Sequence, residues 1–140
     1  MINIEKADDL LGISVHNILS YRKNEGKFIK LVNNWNKKLI IEIEEFYPLE
    51  VIFEGSQIKF KIEDLDKIFD LRIKMSFSTL LDIAYGRINP IIATIIRKVK
   101  IKGMYRVFTL LKFLRIFVKS MKMVAADPNQ NYYELNKETR

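Results

Sequence analysis

The stretch LRIKMSFSTLLDIAYGRINP, residues 71–90, changes its hydrophobic period partway along, and its reading decides the fold. Leu71, Ile73 and Met75 alternate with Arg72 and Lys74, the period of two expected of a strand with one buried face. Ser76 or Ser78 then suits a helix N-cap. Leu80, Leu81, Ile83 and Ala84 follow at helical spacing until Gly86, which ends the helix as a C-terminal glycine does. Asn89 and Pro90 open a second short helix carrying Ile91, Ile92, Ile95 and Ile96, with proline in a first turn that needs no N–H donor. Downstream, Lys98 to Lys102 alternate again as a strand. Gly103 turns the chain into a last helix, Met104 to about Val124.

Upstream the same two periods appear in the opposite order. Val15, Ile18 and Leu19, then Phe28, Leu31, Val32 and Trp35, recur at helical spacing on either side of a break at Gly26. Three period-two runs follow: Leu39, Ile41 and Ile43; Val51 and Phe53; Ile58, Phe60 and Ile62. Gly55-Ser56 and Asp64-Leu65-Asp66 are short links, so hairpins are the natural connection. The pattern predicts an α/β chain of the α+β layered kind. Its sheet has five strands, mostly antiparallel, with one apolar face that helices must cover and one charged face.

Length, composition and charge bound what such a chain does. With 140 residues, 49% apolar and 29% charged, it is one domain able to bury a core unaided. Residues 1–124 read as that domain and 125–140 as a polar, loosely held tail. Cysteine is absent, which excludes disulfides, thiolate metal sites and cysteine nucleophiles. The N-terminus has no apolar signal core and the tail no peroxisomal tripeptide, which points to the cytoplasm. The formal net charge is +7, unevenly spread. Nine acids face three lysines between Ile40 and Asp70, whereas Arg97 to Lys122 holds nine cations and no acid.

Catalytic chemistry finds little support. His16 is the sole histidine and lies in no recognisable constellation, and no phosphate-binding, dinucleotide, zinc-protease or nucleophile-elbow motif occurs. The acids alternate along strands and read as a solvated sheet face. The expectation is a non-enzymatic protein with no catalytic residues, no metal and no cofactor. Nucleic acid is disfavoured as a partner, because no binding module matches and Tyr105 and Phe108 are the only candidate exposed aromatics in the basic segment.

On a wheel of about 100° per residue, Val107, Leu110, Leu111, Phe113, Leu114, Phe117, Val118 and Met121 share one arc of the last helix. Lys112, Arg115, Lys119 and Lys122 occupy the other side, with Phe108 and Ile116 among them. The apolar arc reads either as ordinary core or as the wall of a lined interior; periodicity does not distinguish them. The cationic strip reads as a solvated face or as a contact for an anionic membrane. Phe108 and Ile116 read as a dimer contact, a membrane anchor or scattered surface apolars.

Residues 71–90, with the helix–glycine–basic–apolar–Asn-Pro run, resemble the sterol carrier protein 2 (sterol-binding) family. Lys98-Val-Lys-Ile-Lys-Gly103 is similar to that family's strand and turn, and the likeness spans roughly residues 15–120. Arg97 stands where the family usually has a glycine. The resemblance implies a hydrophobic tunnel between sheet and helices that takes a sterol, fatty acid or fatty acyl-CoA. On that basis Leu80, Ala84, Ile92, Ile96, Leu111 and Leu114 are the expected lining residues. Lys112, Arg115, Lys119, Lys122 and Phe108 are the expected membrane- or anion-facing group. The alternative is an accessory or protein-interaction domain that keeps the fold with a filled core.

Overall fold

The computed structural model describes residues 2–62, 68–103 and 106–128. In chain order these form β1 (Asn3–Ile4), α1 (Leu10–Ser20), α2 (Gly26–Val32), β2 (Lys37–Ile43), β3 (Leu49–Glu54) and β4 (Gln57–Lys61). Then come β5 (Leu71–Met75), α3 (Phe77–Ala84), α4 (Pro90–Ile95) and β6 (Val99–Lys102). The last helix is continuous but not uniform: α5 (Val107–Phe113), a π turn (Leu114–Val118) and α6 (Lys119–Ala126). The link at residues 64–66, Met104, Tyr105 and most of the expected tail lie outside the described residues.

The predicted caps form. Ser76 accepts from the Thr79 N–H at 3.1 Å, and Asn89 from the Ile91 N–H at 2.8 Å, with Pro90 in the first turn. Gly86 follows α3 in the left-handed region, φ 73°.

The sheet differs from expectation in two respects. It has six strands, ordered β1-β4-β3-β2-β5-β6, because the two-residue β1 pairs with β4, too short to leave a periodic signal. The pairs β1–β4 and β2–β5 are parallel, so the sheet is mixed. β5 is not hairpinned to β4 but crosses to the far side of β2 and lies between β2 and β6. Alternation decides which face of a strand is buried and says nothing about its neighbour.

Asp70 anchors the crossover. Its backbone N–H donates to the Lys38 carbonyl at 2.8 Å, and its carboxylate accepts from the Lys38 N–H and the Arg106 guanidinium, each at 2.9 Å. Gly103 sits against it with φ 93°, and a Cβ there would lie 2.6 Å from the Asp70 carbonyl oxygen.

One sheet face carries Leu39, Ile41, Ile43, Val51, Phe53, Ile58, Leu71, Ile73, Met75 and Val99, all buried. Beneath α2 this layer is solidly packed. Trp35 lies 4.8 Å from Phe53 between ring centroids, Phe53 6.0 Å from Phe117, and Phe117 5.0 Å from Phe113. The opposite face is not the fully solvated one expected of it. Ile40 and its partner Glu50 are both buried there, Glu50 completely. Strand-position arguments place a carboxylate on a face; they do not say whether that part of the face is wet.

Candidate functional site

The π turn shapes the site. A π turn bonds each N–H one residue further back than an α-helix does, so it rotates everything beyond it and releases a carbonyl from the ladder. Arg22 meets that demand. Its guanidinium is buried, donates to the Arg115 carbonyl at 2.7 Å and the Ser120 hydroxyl at 3.1 Å, and pairs with Glu25 at 3.1 Å. Ser120 in turn donates to the Ile116 carbonyl. The hydrogen bond from Arg22, with support from Lys119 and Lys27, holds the Glu25 carboxyl below its ordinary pKa against the opposing effect of burial.

Burial on the last helix does not follow its apolar arc. Phe113, Ile116, Phe117 and Val118 are buried, with Thr109 and Ser120 on the same side, whereas Leu111 is 43% exposed. The apolar arc assigns Leu111 and Ile116 the other way round. Ile116 is therefore core, not a surface contact.

Between the other half of the sheet and the helices lies a cavity of about 270 Å³. This is near the lower end of the roughly 300–1,000 Å³ usual for ligand sites. Its walls come from Leu11, Ser14, Val15 and Ile18 of α1; Ile41, Ile43, Met75, Val99 and Ile101 of the sheet; and Leu80 and Ile83 of α3. Pro90, Ile91, Thr94 and Ile95 of α4 and Leu110, Phe113, Leu114, Phe117, Val118 and Met121 of the last helix complete them. Phe113 and Phe117 thus divide the packed aromatic half from the cavity.

Among the described residues only Ser14 and Thr94 bring polar side chains to this wall, and both hydroxyls are engaged. Ser14 donates to the Leu10 carbonyl and Thr94 to the Pro90 carbonyl, each at 2.9 Å. Ile91 and Ile95 line the cavity yet are 61% and 72% exposed, so they mark its mouth.

Of the six residues expected to line the interior, Leu80 and Leu114 do so; Ala84, Ile92, Ile96 and Leu111 are not on the wall. For α4 the reason is simple: Ile91/Ile95 and Ile92/Ile96 are two i, i+4 pairs of the same residue, so periodicity offers no choice between them. Leu111 precedes the π turn and shares the outward side of α5 with Val107, while α5 buries Thr109 and Phe113 instead. The α1 residues Leu11, Val15 and Ile18 escaped notice because an apolar helical stripe reads equally well as core.

The cationic strip is divided. Lys112 is half-buried, donates to the Leu31 carbonyl at 3.2 Å and lies 5.2 Å over the Trp35 ring. Burial and nearby Lys37 lower its pKa. Arg115 and Lys119 are exposed and line a separate shallow cleft with Arg22, Lys27, Lys30 and Leu31. Lys122 is exposed, and Phe108 is 86% exposed.

His16 contacts the Glu5 carbonyl through Nδ1 at 2.9 Å and meets the Phe60 ring edge-on. Among the described residues no group of three or more His, Asp or Glu side chains converges as metal ligands do, and no helix is long and apolar enough to cross a membrane.

An α+β domain with an apolar cavity between its sheet and its helices is the class defined by this geometry. The chain belongs to the SCP-2 sterol transfer family, whose model matches residues 18–114. No curated protein matches it significantly by sequence. Among solved structures it is similar to UbiJ-SCP2, a ubiquinone synthesis protein, at 16% identity and TM-score 0.57, covering 82% of this chain and 88% of that one. It is similar to apo sterol carrier protein 2 from Yarrowia lipolytica at 12% identity and TM-score 0.54, over 84% and 96% of the two chains. It also resembles part of the inverting sec-alkylsulfatase Pisa1 from Pseudomonas sp., at 16% identity and TM-score 0.55, covering 81% of this chain but 19% of that enzyme. At such identities these likenesses concern the fold alone.

Proposed function

We propose that this protein binds or carries a long apolar ligand in its cavity and does no chemistry on it. The observation that carries the reading is the lining: among the described residues every wall residue is apolar except two, and those two hydroxyls are already bonded to backbone carbonyls. A ligand group that needs hydrogen bonds would be left unsatisfied inside, at a cost of roughly 1–3 kcal/mol. An alkyl chain or sterol body loses nothing there.

The polar end of such a ligand belongs at the mouth, beside Ile91 and Ile95, where α4 leads into the exposed cations Arg97 and Lys98. That surrounding favours an anionic head, as on a fatty acid or fatty acyl-CoA. Membership of the SCP-2 sterol transfer family supports a lipid ligand and does not choose between these and a sterol.

Native mass spectrometry of freshly purified protein, followed by titration with a fluorescent fatty acid, tests this. The expected result is a co-purifying lipid mass or saturable uptake of the probe. A bare chain mass with no uptake would instead support an accessory domain that serves a larger assembly through its surface.

A further inference from the structure

Helix α4 is built the wrong way round for a helix that only packs on its own fold. Its fully buried residue is Ala93, the smallest it has. Its three isoleucines and the Ile96 that caps it stand outward: Ile91, Ile92, Ile95 and Ile96 are 61%, 52%, 72% and 53% exposed. At the start of α5, part of another helix that reaches the cavity, Val107 is 55% and Phe108 86% exposed. Scattered apolar residues on a surface need no explanation, but four on two turns of one helix form a patch that does.

Two further observations say what covers it. Ile91 and Ile95 belong both to this patch and to the cavity wall, so the patch surrounds the mouth. The patch is also rimmed by one sign of charge. The sequence holds no acidic residue between Asp82 and Asp127, and the exposed Arg97 and Lys98 follow directly on α4, whereas Lys100 and Lys102 alternate with Val99 and Ile101 and face away from the cavity. A second copy seated here would bring two cationic rims together, which is unfavourable. An anionic bilayer complements both parts at once: isoleucine and phenylalanine side chains enter the headgroup boundary while lysines and arginines meet lipid phosphates and carboxylates.

We propose that α4 and the start of α5 form a bilayer-docking face, which sets the cavity mouth directly on an anionic lipid surface so that ligand passes between membrane and cavity without crossing water. This deepens the carrier reading and rests on it. The docking residues differ from the strip on the last helix, where Lys112 is held against Leu31 and Trp35; of that group only Phe108 takes part.

The test uses residues that are exposed and not on the cavity wall. Wild-type chain and an Ile92→Glu/Ile96→Glu/Phe108→Glu variant are sedimented with phosphatidylcholine vesicles, with and without phosphatidylserine, at low and high salt. Both proteins are titrated in parallel with a fluorescent fatty acid in the absence of vesicles. The wild type is expected to pellet with phosphatidylserine-containing vesicles and less with neutral ones, and to be released by salt. The variant should lose vesicle binding by about tenfold or more while taking up the probe as the wild type does, which also shows that it is folded. Equal pelleting of variant and wild type would overturn the proposal. So would wild type that ignores both vesicles, or that dimerises in the ultracentrifuge through these residues instead. Vesicle binding without probe uptake by either protein would leave docking standing and remove the carrier reading.

Discussion

Arg97 is held at φ 64°, in the left-handed region, at the end of α4 where the sterol carrier protein 2 pattern has a glycine. A side chain with a Cβ pays about 1–2 kcal/mol for that conformation. Arg97→Gly removes this cost and loses under about 1 kcal/mol to the freer unfolded chain, so a net gain of about 0.5–1 kcal/mol is expected in urea denaturation. Gly103 is the opposite case. Its φ of 93° and the 2.6 Å approach to the Asp70 carbonyl leave no room for a methyl group. Gly103→Ala should cost about 3 kcal/mol, measured the same way. Glu25 supplies a pH signature. Its carboxyl titrates below the ordinary 4.5, chiefly because of the hydrogen bond from Arg22. Between the ordinary and lowered values the unfolded chain therefore binds the proton and the folded chain does not. The contribution of the Arg22–Glu25 pair is complete above the ordinary value and is lost as pH falls through the lowered one. Denaturation midpoints followed from about pH 6 to about pH 3 should fall, and should fall less in Glu25→Gln; identical curves would show that the pair contributes nothing.

At the scale of elements, the last helix buries Phe113, Ile116 and Phe117 and leaves Val107 and Leu111 of its apolar arc outward. Phe117 is 4% exposed and joins the aromatic cluster to the cavity wall, so Phe117→Ala should cost about 3–5 kcal/mol. Leu111→Ala, by contrast, should stay below about 1 kcal/mol and leave ligand uptake unchanged, because that side chain is 43% exposed and off the wall. A reversed order of the two costs would contradict this assignment of the buried and exposed sides. Much of the element pattern was legible in the sequence. Alternation located five of the strands, β2 to β6, and Ser76, Gly86 and Asn89-Pro90 marked the helix ends. What escaped it has physical reasons. A two-residue strand has no period, alternation does not name a strand's neighbour, and the most apolar arc of a helix need not be the one it buries, as Thr109 and Ser120 inside and Val107 and Leu111 outside show. The same limit applied to the site. Leu80 and Leu114 could be named, whereas α4 offered two equivalent isoleucine pairs and α1 a stripe that reads as core.

For the molecule as a whole, the arrangement is a division of labour within one apolar layer. The half under α2 is filled by Trp35, Phe53 and Phe117, and the half under α1, α3 and α4 is left open. The packed half supplies the stability that an unfilled interior gives up, since a lined cavity forfeits the dispersion contacts of a close-packed core. The measurement that tests this most directly is a side-by-side titration of wild type and Leu114→Phe with a fluorescent fatty acid, with stability recorded for both. Leu114 is half-buried on the cavity wall, so a larger ring there has space to occupy. If the cavity is the binding site, Leu114→Phe keeps or raises stability and loses uptake by tenfold or so, about 1.4 kcal/mol of affinity. Equal uptake by the two proteins, or a variant destabilised as an overpacked core would be, by about 1–3 kcal/mol, would contradict the account.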